Sequence, residues 1–264
     1  MNSFNSKKKD VVYKHKRIVR VICHFINKGR TVGTGFLINK GKNILTCWHV
    51  VCGTDLKDVL KSELFSKLPK QPKAEKIDTY YRKLAREIEV ELYDGTKIAA
   101  ELDSYDYFYD LAILKVVSTK GNLPHFEIET KNTLDYTDEI CFPGYPASLG
   151  YDFSASPFSV NFGTVSSFPV TEISGGKFRM VQLTGICIGG NSGAPIFKKQ
   201  SNKVIAILNG YEWRGLDNIA VFKNGSFSET RNLHIPINIS YATEFNFLSK
   251  KSQIFKDLLK VMGS

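Results

Sequence analysis

Short apolar runs separated by turn residues recur along most of the chain. In its first half they lie at Ile18 to Phe25, Thr34 to Ile38, Ile88 to Tyr93, Lys97 to Leu102, Leu111 to Val117 and Phe126 to Glu129. A second set lies at Val160 to Ser166, Arg179 to Leu183, Ala194 to Phe197, Val204 to Leu208 and Ile235 to Ile237. Runs rich in Val, Ile, Phe and Tyr, bounded by Gly, Pro, Ser and Asn, are typical of strands in all-β barrels and sandwiches. The pattern therefore predicts two successive β units.

Two segments have helical rather than strand periodicity. Apolar residues lie three and four positions apart after Asp55, and again from Ile77 to Leu84. We interpret residues 54–86 as a helical insertion, and as a surface elaboration, because long insertions add little to the entropy of loop closure. Near the end, one apolar face from Ile254 to Met262 with lysines around it predicts a C-terminal docking helix.

The composition allows a sizeable core and excludes membrane-spanning proteins. Of 264 residues, 42% are hydrophobic and 23% are charged. No apolar run reaches the roughly 18 residues that a spanning helix needs, so we expect no membrane partner. The net charge is +10, and its excess lies between Lys7 and Arg20 and between Thr54 and Arg86. Nucleic acid would suit this charge, but two solvated basic faces are the simpler explanation.

The cysteines and the N-terminal region indicate an intracellular protein. The apolar stretch Ile18 to Ile26 is too short for a secretory signal and is interrupted by charged and polar residues. The five cysteines have no disulfide-framework spacing, which indicates reduced thiols. We therefore expect a cytoplasmic location.

One serine lies among glycines, in the segment Gly190-Asn191-Ser192-Gly193-Ala194-Pro195. Glycines on both sides allow a sharp turn and let successive amides point at one place, as a tetrahedral oxyanion requires. A serine hydroxyl is a poor nucleophile until a base removes its proton. Taken alone, however, this segment is also typical of a simple loop.

A histidine and an aspartate occupy suitable positions to activate this serine. His49 follows an apolar strand at the point where the chain leaves the sheet. Asp110 directly precedes the apolar strand Leu111 to Leu114, where a carboxylate could orient an imidazole. Asp103 and Asp106 are alternatives to Asp110 in this role.

Four motifs in this order resemble the chymotrypsin-fold (trypsin-like) serine peptidases, most closely their HtrA-type bacterial branch. The motifs are Gly33-Thr34-Gly35-Phe36-Leu37-Ile38, Ile44-Leu45-Thr46-Cys47-Trp48-His49-Val50-Val51, Asp110-Leu111-Ala112-Ile113-Leu114-Lys115 and Gly190-Asn191-Ser192-Gly193-Ala194-Pro195. The order His, Asp, Ser also differs from that of α/β-hydrolases. The likeness spans roughly Ile18 to Ala242.

The resemblance implies an all-β fold of two six-stranded antiparallel β-barrels with a helical insertion and a C-terminal helix. Residues 1–17 would be a basic N-terminal segment, and 18–130 the N-terminal barrel with His49 and Asp110 and the insertion 54–86. Residues 131–242 would be the C-terminal barrel with Ser192, and 243–264 the terminal helix.

The resemblance also implies roles for individual residues in a serine endopeptidase that needs no cofactor or metal. Ser192 would be the nucleophile, His49 the general base and acid, and Asp110 its orienting partner. The oxyanion hole would lie at Gly190, Asn191 and Ser192, with the amides of Gly190 and Ser192 as donors. The substrate-binding residues would be Ile186, Cys187, Ile188, Gly189, Leu208, Asn209 and Gly210. That pocket has no carboxylate, so we expect an apolar residue before the cleaved bond.

Two features depart from members of the wider family. Arg17-Ile18-Val19 resembles a zymogen cleavage site, but the aspartate that pairs with the new amino terminus is replaced by Asn191. Activation by such a cut is therefore not expected. The 22 residues after Ala242 are too few for the peptide-binding PDZ module of HtrA-type proteins.

Other functions remain open. Cys47, His49 and Cys52 could suggest zinc, but their spacing matches no paired-cysteine pattern and a fourth ligand is missing. The basic segments leave open a nucleic-acid-associated protein. A latent enzyme that needs a regulatory protein partner, a non-catalytic binding module and an esterase are compatible with the same residues. The preferred interpretation is an endopeptidase acting on polypeptides.

Overall fold

Antiparallel β-structure makes up most of the described chain. This computed structural model describes residues 10–26, 29–59, 85–117, 122–146, 157–173, 176–185, 187–199, 201–223 and 226–263. Within those residues the strands form two closed barrels and one small hairpin. The predicted all-β fold of two six-stranded barrels is confirmed.

The first barrel is built from six strands. They are β1 (Ile18–Phe25), β2 (Arg30–Ile38), β3 (Asn43–Thr46), β4 (Ala85–Glu91), β5 (Lys97–Asp106) and β6 (Leu111–Val116). The barrel order is β1-β2-β3-β6-β5-β4, and all its pairs are antiparallel. β1, β3 and β6 are buried along most of their length, because other parts of the chain cover their outer faces.

The second barrel uses six of the remaining strands. The eight remaining strands are β7 (Glu139–Gly144), β8 (Ser159–Ser167), β9 (Val170–Ile173), β10 (Gly176–Arg179), β11 (Val181–Thr184), β12 (Pro195–Lys198), β13 (Ala206–Lys223) and β14 (Ser226–Glu244). The barrel order is β11-β14-β13-β12-β7-β8, while β9 and β10 form a separate hairpin. β13 and β14 extend well past the barrel as a two-stranded ribbon.

Helices lie at the two ends of the described chain and beside the first barrel. Residues 10–15 form α1, Trp48–Val59 forms α2, and the last two helices are α3 (Phe245–Lys251) and α4 (Gln253–Gly263). None of the described helices is long and apolar enough to cross a membrane. Most of the predicted insertion, residues 60–84, lies outside the described residues.

The C-terminal region differs from the single predicted helix. Ser252 adopts an extended backbone between α3 and α4 and is fully buried. Its hydroxyl donates a 2.6 Å hydrogen bond to Asp106 Oδ2. The break allows both helices to pack on the first barrel, where Phe245 and Phe255 are stacked with ring centroids 5.1 Å apart.

Two further expectations differ from the structure. Phe126 to Glu129 is not a strand of either barrel, and only Ile128 forms a bridge, to Val204. In addition, not every basic residue near the N-terminus is solvated. Lys14 and Arg20 are 2% and 3% exposed. Lys14 pairs with Asp10, and Arg20 pairs with Glu91. A paired charge costs less to bury than an unpaired one.

Candidate active site

His49 and Asp110 lie together at the rim of the first barrel. His49 is in the first turn of α2, directly after β3, and Asp110 directly precedes β6. The His49 Nδ1 atom is 2.7 Å from Asp110 Oδ2. Both side chains are partly exposed, at 25% and 29%. A carboxylate bound to Nδ1 leaves the opposite ring nitrogen, Nε2, available to exchange a proton.

The Asp110 backbone adopts an uncommon conformation that aims the side chain at α2. Its φ is +53°, in the left-handed region that Asp tolerates better than most residues. From there Asp110 Oδ1 accepts the His49 amide at 2.9 Å, and its carbonyl accepts the Trp48 amide at 3.2 Å. The carboxylate therefore caps the N-terminus of α2 and orients the imidazole at the same time.

The two alternative aspartates have other partners. Asp106 accepts hydrogen bonds from the Ser252 hydroxyl and the Tyr109 amide, and Asp103 accepts one from the Ser104 hydroxyl. Among the three aspartates, Asp110 is the one that contacts His49. Sequence position alone left these three open, because all lie within one β5 to β6 segment.

Ser192 lies in a tight loop at the start of the second barrel's strand β12. Gly190 and Gly193 have φ values of +89° and +88°, which glycine adopts without strain. A Cβ at Gly193 would come within 2.0 Å of the Thr34 carbonyl oxygen. Inside the loop, the Ala194 amide donates to the Asn191 carbonyl at 2.9 Å. The glycines thus permit a conformation and a close approach to β2 that other residues would prevent.

Thr34 on β2 connects this loop to the first barrel. Its amide donates to the Ser192 carbonyl at 2.9 Å, and its hydroxyl donates to the Gly190 carbonyl at 2.7 Å. The same hydroxyl accepts the Tyr145 amide at 3.0 Å. Thr34 is fully buried. In the sequence, only its position between Gly33 and Gly35 distinguishes this threonine from others.

The backbone amides of Gly190, Asn191 and Ser192 differ in whether they are available to bind an oxyanion. The Asn191 amide donates to the Ile188 carbonyl at 3.2 Å, so it is not free to bind an oxyanion. Among the described residues, the Gly190 and Ser192 amides have no protein acceptor. These two are the donors expected from the resemblance, whereas Asn191 shapes the turn.

The Asn191 side chain is an unusual feature of the loop. It is fully buried, and neither Oδ1 nor Nδ2 forms a hydrogen bond with a described residue. It approaches the Cys187 thiol, where it opposes part of the pKa shift of that group. A neutral carboxamide costs less to bury unpaired than a carboxylate would, which fits the expectation that no charged amino terminus pairs here.

The expected substrate pocket is only partly described, because Ile186 lies outside the described residues. Cys187 is buried, and Ile188 and Gly189 are half-buried. Burial raises the pKa of the Cys187 thiol to about 12, so the thiol is neutral at ordinary pH. The described pocket residues therefore present no negative charge to a substrate side chain.

Strand β13 is hydrogen-bonded to the Ser192 loop at Leu208. Leu208 is fully buried; its carbonyl accepts the Gly193 amide at 2.8 Å, and its amide donates to the Ala194 carbonyl at 2.9 Å. Asn209 and Gly210 are half-buried. The Asn209 Oδ1 atom accepts the Thr243 hydroxyl at 2.7 Å.

The buried Cys47 thiol lies close to the side chains of His49 and Asp110. The three side chains bring potential metal-ligand atoms within 4.8 Å of one another, and Cys52 is not part of this group. However, the Cys47 thiol donates to the Leu208 carbonyl at 3.2 Å. Burial, followed by the Asp110 charge, raises its pKa well above the ordinary value, which opposes formation of the thiolate that a metal would require.

Comparisons with known proteins identify the fold and the family of this chain. No curated protein matches the chain. The active form of the Rv3671c protease from M. tuberculosis matches its structure with a TM-score of 0.60 and 14% sequence identity, over 93% of this chain and 83% of that chain. The model of the trypsin-like peptidase domain matches residues 33–207, a range that includes His49, Asp110 and Ser192. The chain therefore belongs to the trypsin-like peptidase family.

Proposed function

We propose that this protein is a serine endopeptidase that uses Ser192, His49 and Asp110. The observation that supports this most directly is the 2.7 Å contact of His49 Nδ1 with Asp110 Oδ2, on the barrel to which Thr34 ties the Ser192 loop. A bound Nδ1 fixes the tautomer in which Nε2 accepts a proton.

In the proposed reaction, His49 Nε2 takes the Ser192 hydroxyl proton as Oγ attacks the carbonyl carbon of the substrate. The developing oxyanion accepts hydrogen bonds from the Gly190 and Ser192 amides. His49 then donates the proton to the leaving amine, and an acyl-enzyme forms on Ser192. A water molecule gives its proton to His49 as it attacks this ester, and His49 then returns that proton to Ser192 Oγ as the carboxylic acid product leaves. Asp110 stays ionised and stabilises the imidazolium in both steps.

The substrate residue before the cleaved bond is proposed to be apolar. The support is the neutral Cys187 thiol and the absence of a carboxylate among the pocket residues Cys187 to Gly189. A peptide library cleaved by the protein tests this preference, and dominant cleavage after Lys or Arg would contradict it.

The catalytic proposal is tested with a fluorophosphonate probe and intact-mass measurement. We expect one adduct on the wild type and none on Ser192→Ala or His49→Ala. Asp110→Asn is expected to lower the adduct rate by roughly four orders of magnitude, because the amide holds the wrong tautomer. Asp106→Asn is the matched control and should react at the wild-type rate.

A wild-type protein that forms no adduct would contradict autonomous activity. The Ser192 loop is held by bonds within the chain, so we expect no regulatory partner to be required. Recovery of the adduct only after a protein partner is added would establish latency instead.

A further inference from the structure

The Cys47 thiol is a buried polar group that the proposed reaction does not use. Cys47 is fully buried, and it lies between the end of β3 and the start of α2, two positions before His49. Its Sγ atom, a ring nitrogen of His49 and a carboxylate oxygen of Asp110 lie within 4.8 Å of one another. The thiol is therefore next to the pair that is proposed to activate Ser192.

This thiol keeps its proton. Burial, followed by the Asp110 charge, raises the pKa of Cys47 well above its ordinary value, and the nearby Gly193 amide opposes this rise only in part. A protonated thiol is a hydrogen-bond donor, although a weaker one than a hydroxyl group. Cys47 therefore has one hydrogen bond to donate inside the site.

Two acceptors lie within reach of this single proton. One is the Leu208 carbonyl oxygen, 3.2 Å from Sγ, and the other is the Asp110 carboxylate. The Leu208 carbonyl also accepts the Gly193 amide at 2.8 Å, so it keeps a partner when the thiol proton turns toward Asp110. A hydrogen bond to an ionised acceptor is the stronger of the two, which favours donation to the carboxylate.

The Asp110 carboxylate has the capacity to accept this bond. His49 supplies two donors to it, the amide to Oδ1 at 2.9 Å and Nδ1 to Oδ2 at 2.7 Å. An ionised carboxylate has about four lone-pair sites, so a further donor can be accommodated. A donor from Cys47 restricts rotation of the carboxylate, and that rotation sets the direction in which Oδ2 meets the imidazole.

We propose that Cys47 is a positioning residue whose thiol proton is shared between the Asp110 carboxylate and the Leu208 carbonyl. This inference rests on the proposed function, and it adds a fourth side chain to the group formed by Ser192, His49 and Asp110. The Leu208 carbonyl belongs to β13 of the second barrel and also binds the amide of the residue after Ser192. One thiol therefore connects the base on the first barrel with the loop that carries the nucleophile.

Steady-state kinetics of Cys47→Ala and Cys47→Ser on one peptide substrate tests this role. Alanine removes the donor, so we expect kcat to fall by roughly tenfold with little change in KM, because a misplaced base weakens the transition state and not substrate binding. Serine supplies a donor of similar size, so its kcat should lie within about twofold of the wild type. An unchanged kcat for Cys47→Ala, or an equal loss in both variants, would overturn the proposal.

Cys23→Ala is the matched control. Cys23 is also fully buried, and its thiol also donates to a backbone carbonyl at 3.2 Å, that of Val51. However, it is not part of the cluster with His49 and Asp110. Its replacement should lower the melting temperature and leave kcat unchanged. A fall of kcat equal to that of Cys47→Ala would show a general effect of destabilisation and overturn the proposal.

The proton resonance of the His49 imidazole gives a readout that needs no catalysis. The proton on Nδ1 lies in the short contact with Asp110, so it resonates at low field in NMR, and its position reports on that hydrogen bond. We expect Cys47→Ala to shift or broaden this resonance and Cys23→Ala to leave it unchanged. An unchanged resonance in Cys47→Ala would overturn the proposal.

The S–H stretching band in the infrared spectrum tests the hydrogen bond in a protein that retains Cys47. An S–H group that donates to a carboxylate absorbs at a lower frequency than one that donates to a neutral acceptor. The Cys47 band, assigned as the one that Cys47→Ser removes, should therefore move to higher frequency in Asp110→Asn. A band that does not move would overturn the proposal, even if Cys47→Ala fails to fold.

These two spectra also separate the inference from the proposed function. A resonance and an S–H band that respond as described support the bond of Cys47 to Asp110 whether or not the wild type hydrolyses peptides. Absence of both hydrolysis and a fluorophosphonate adduct on the wild type would instead overturn the proposed function.

Discussion

A single threonine joins the two halves of the candidate site. Thr34 N–H, hydroxyl and carbonyl all form hydrogen bonds, and the carbonyl accepts the Thr46 hydroxyl at 2.8 Å. Because its hydroxyl holds the Gly190 carbonyl, it restricts rotation of the loop that carries the proposed oxyanion donors. Donors in such a hole act through precise placement before the reaction begins.

Thr34→Val is expected to lower kcat by roughly tenfold to a hundredfold with a smaller change in KM, because a misplaced donor is worth less in the transition state. Valine has the same shape but leaves the Gly190 carbonyl and the Tyr145 amide without their partner. The Thr34→Ser variant keeps the hydroxyl, so its kcat should be close to that of the wild type. Steady-state kinetics on a peptide substrate measures both parameters.

Ser252→Ala provides the control, since it also removes a fully buried hydroxyl but one that bonds Asp106 away from the loop. It should lower the melting temperature without changing kcat. If Thr34→Val affects only the melting temperature as well, Thr34 is structural and does not position the loop.

At the level of elements, residues 10–17 contact both barrels. In α1, His15 is stacked on Phe158, with ring centroids 4.1 Å apart, and lies 6.3 Å from the Tyr145 ring. Arg17 follows the helix and donates from Nε to the His125 carbonyl at 2.8 Å. Residues 10–17 are therefore part of the folded structure, where the two barrels meet.

The half-buried imidazole of His15 makes this junction sensitive to pH. Burial lowers the pKa of His15 below its usual 6.5, so the unfolded chain binds a proton more readily than the folded one. The stabilisation is present above pH 6.5 and is lost as the pH falls toward the lowered folded value. We therefore expect the free energy of unfolding, measured by urea titration, to decrease as the pH is lowered below 6.5.

His15→Phe should remove this part of the pH dependence while it retains the aromatic stack. His24→Phe, which leaves His15 in place, is the control and should retain the decline. An identical pH profile for wild type and His15→Phe would show that His15 does not report on the junction.

At the level of the whole molecule, all five cysteines are buried and none of them forms a disulfide. Burial raises the pKa of Cys141 to about 11 and of Cys187 to about 12. Since the thiolate is the reactive form, we expect almost no reaction with Ellman's reagent at pH 8 in the native state. Five thiols should react after denaturation in urea. A thiol that reacts rapidly in the native protein would contradict this arrangement of the two cores.

Much of the fold followed from local patterns. Alternating apolar runs predicted strands because a barrel buries one face of each strand. They failed at Phe126 to Glu129, where burial comes from packing between the barrels and only Ile128 forms a bridge. The C-terminal periodicity predicted a helix, but the break at Ser252 depends on a contact with Asp106, which is 146 positions away in the chain.

For the site, the sequence by itself determined which residue types were available and in what order: His49, then an aspartate, then Ser192 between glycines. Only the tertiary structure decided that Asp110 rather than Asp103 or Asp106 contacts His49, since all three lie in one short segment. It also decided that Thr34 holds the Ser192 loop. These features depend on hydrogen bonds between distant parts of the chain, whereas periodicity and motifs record only local preferences and neighbours in sequence.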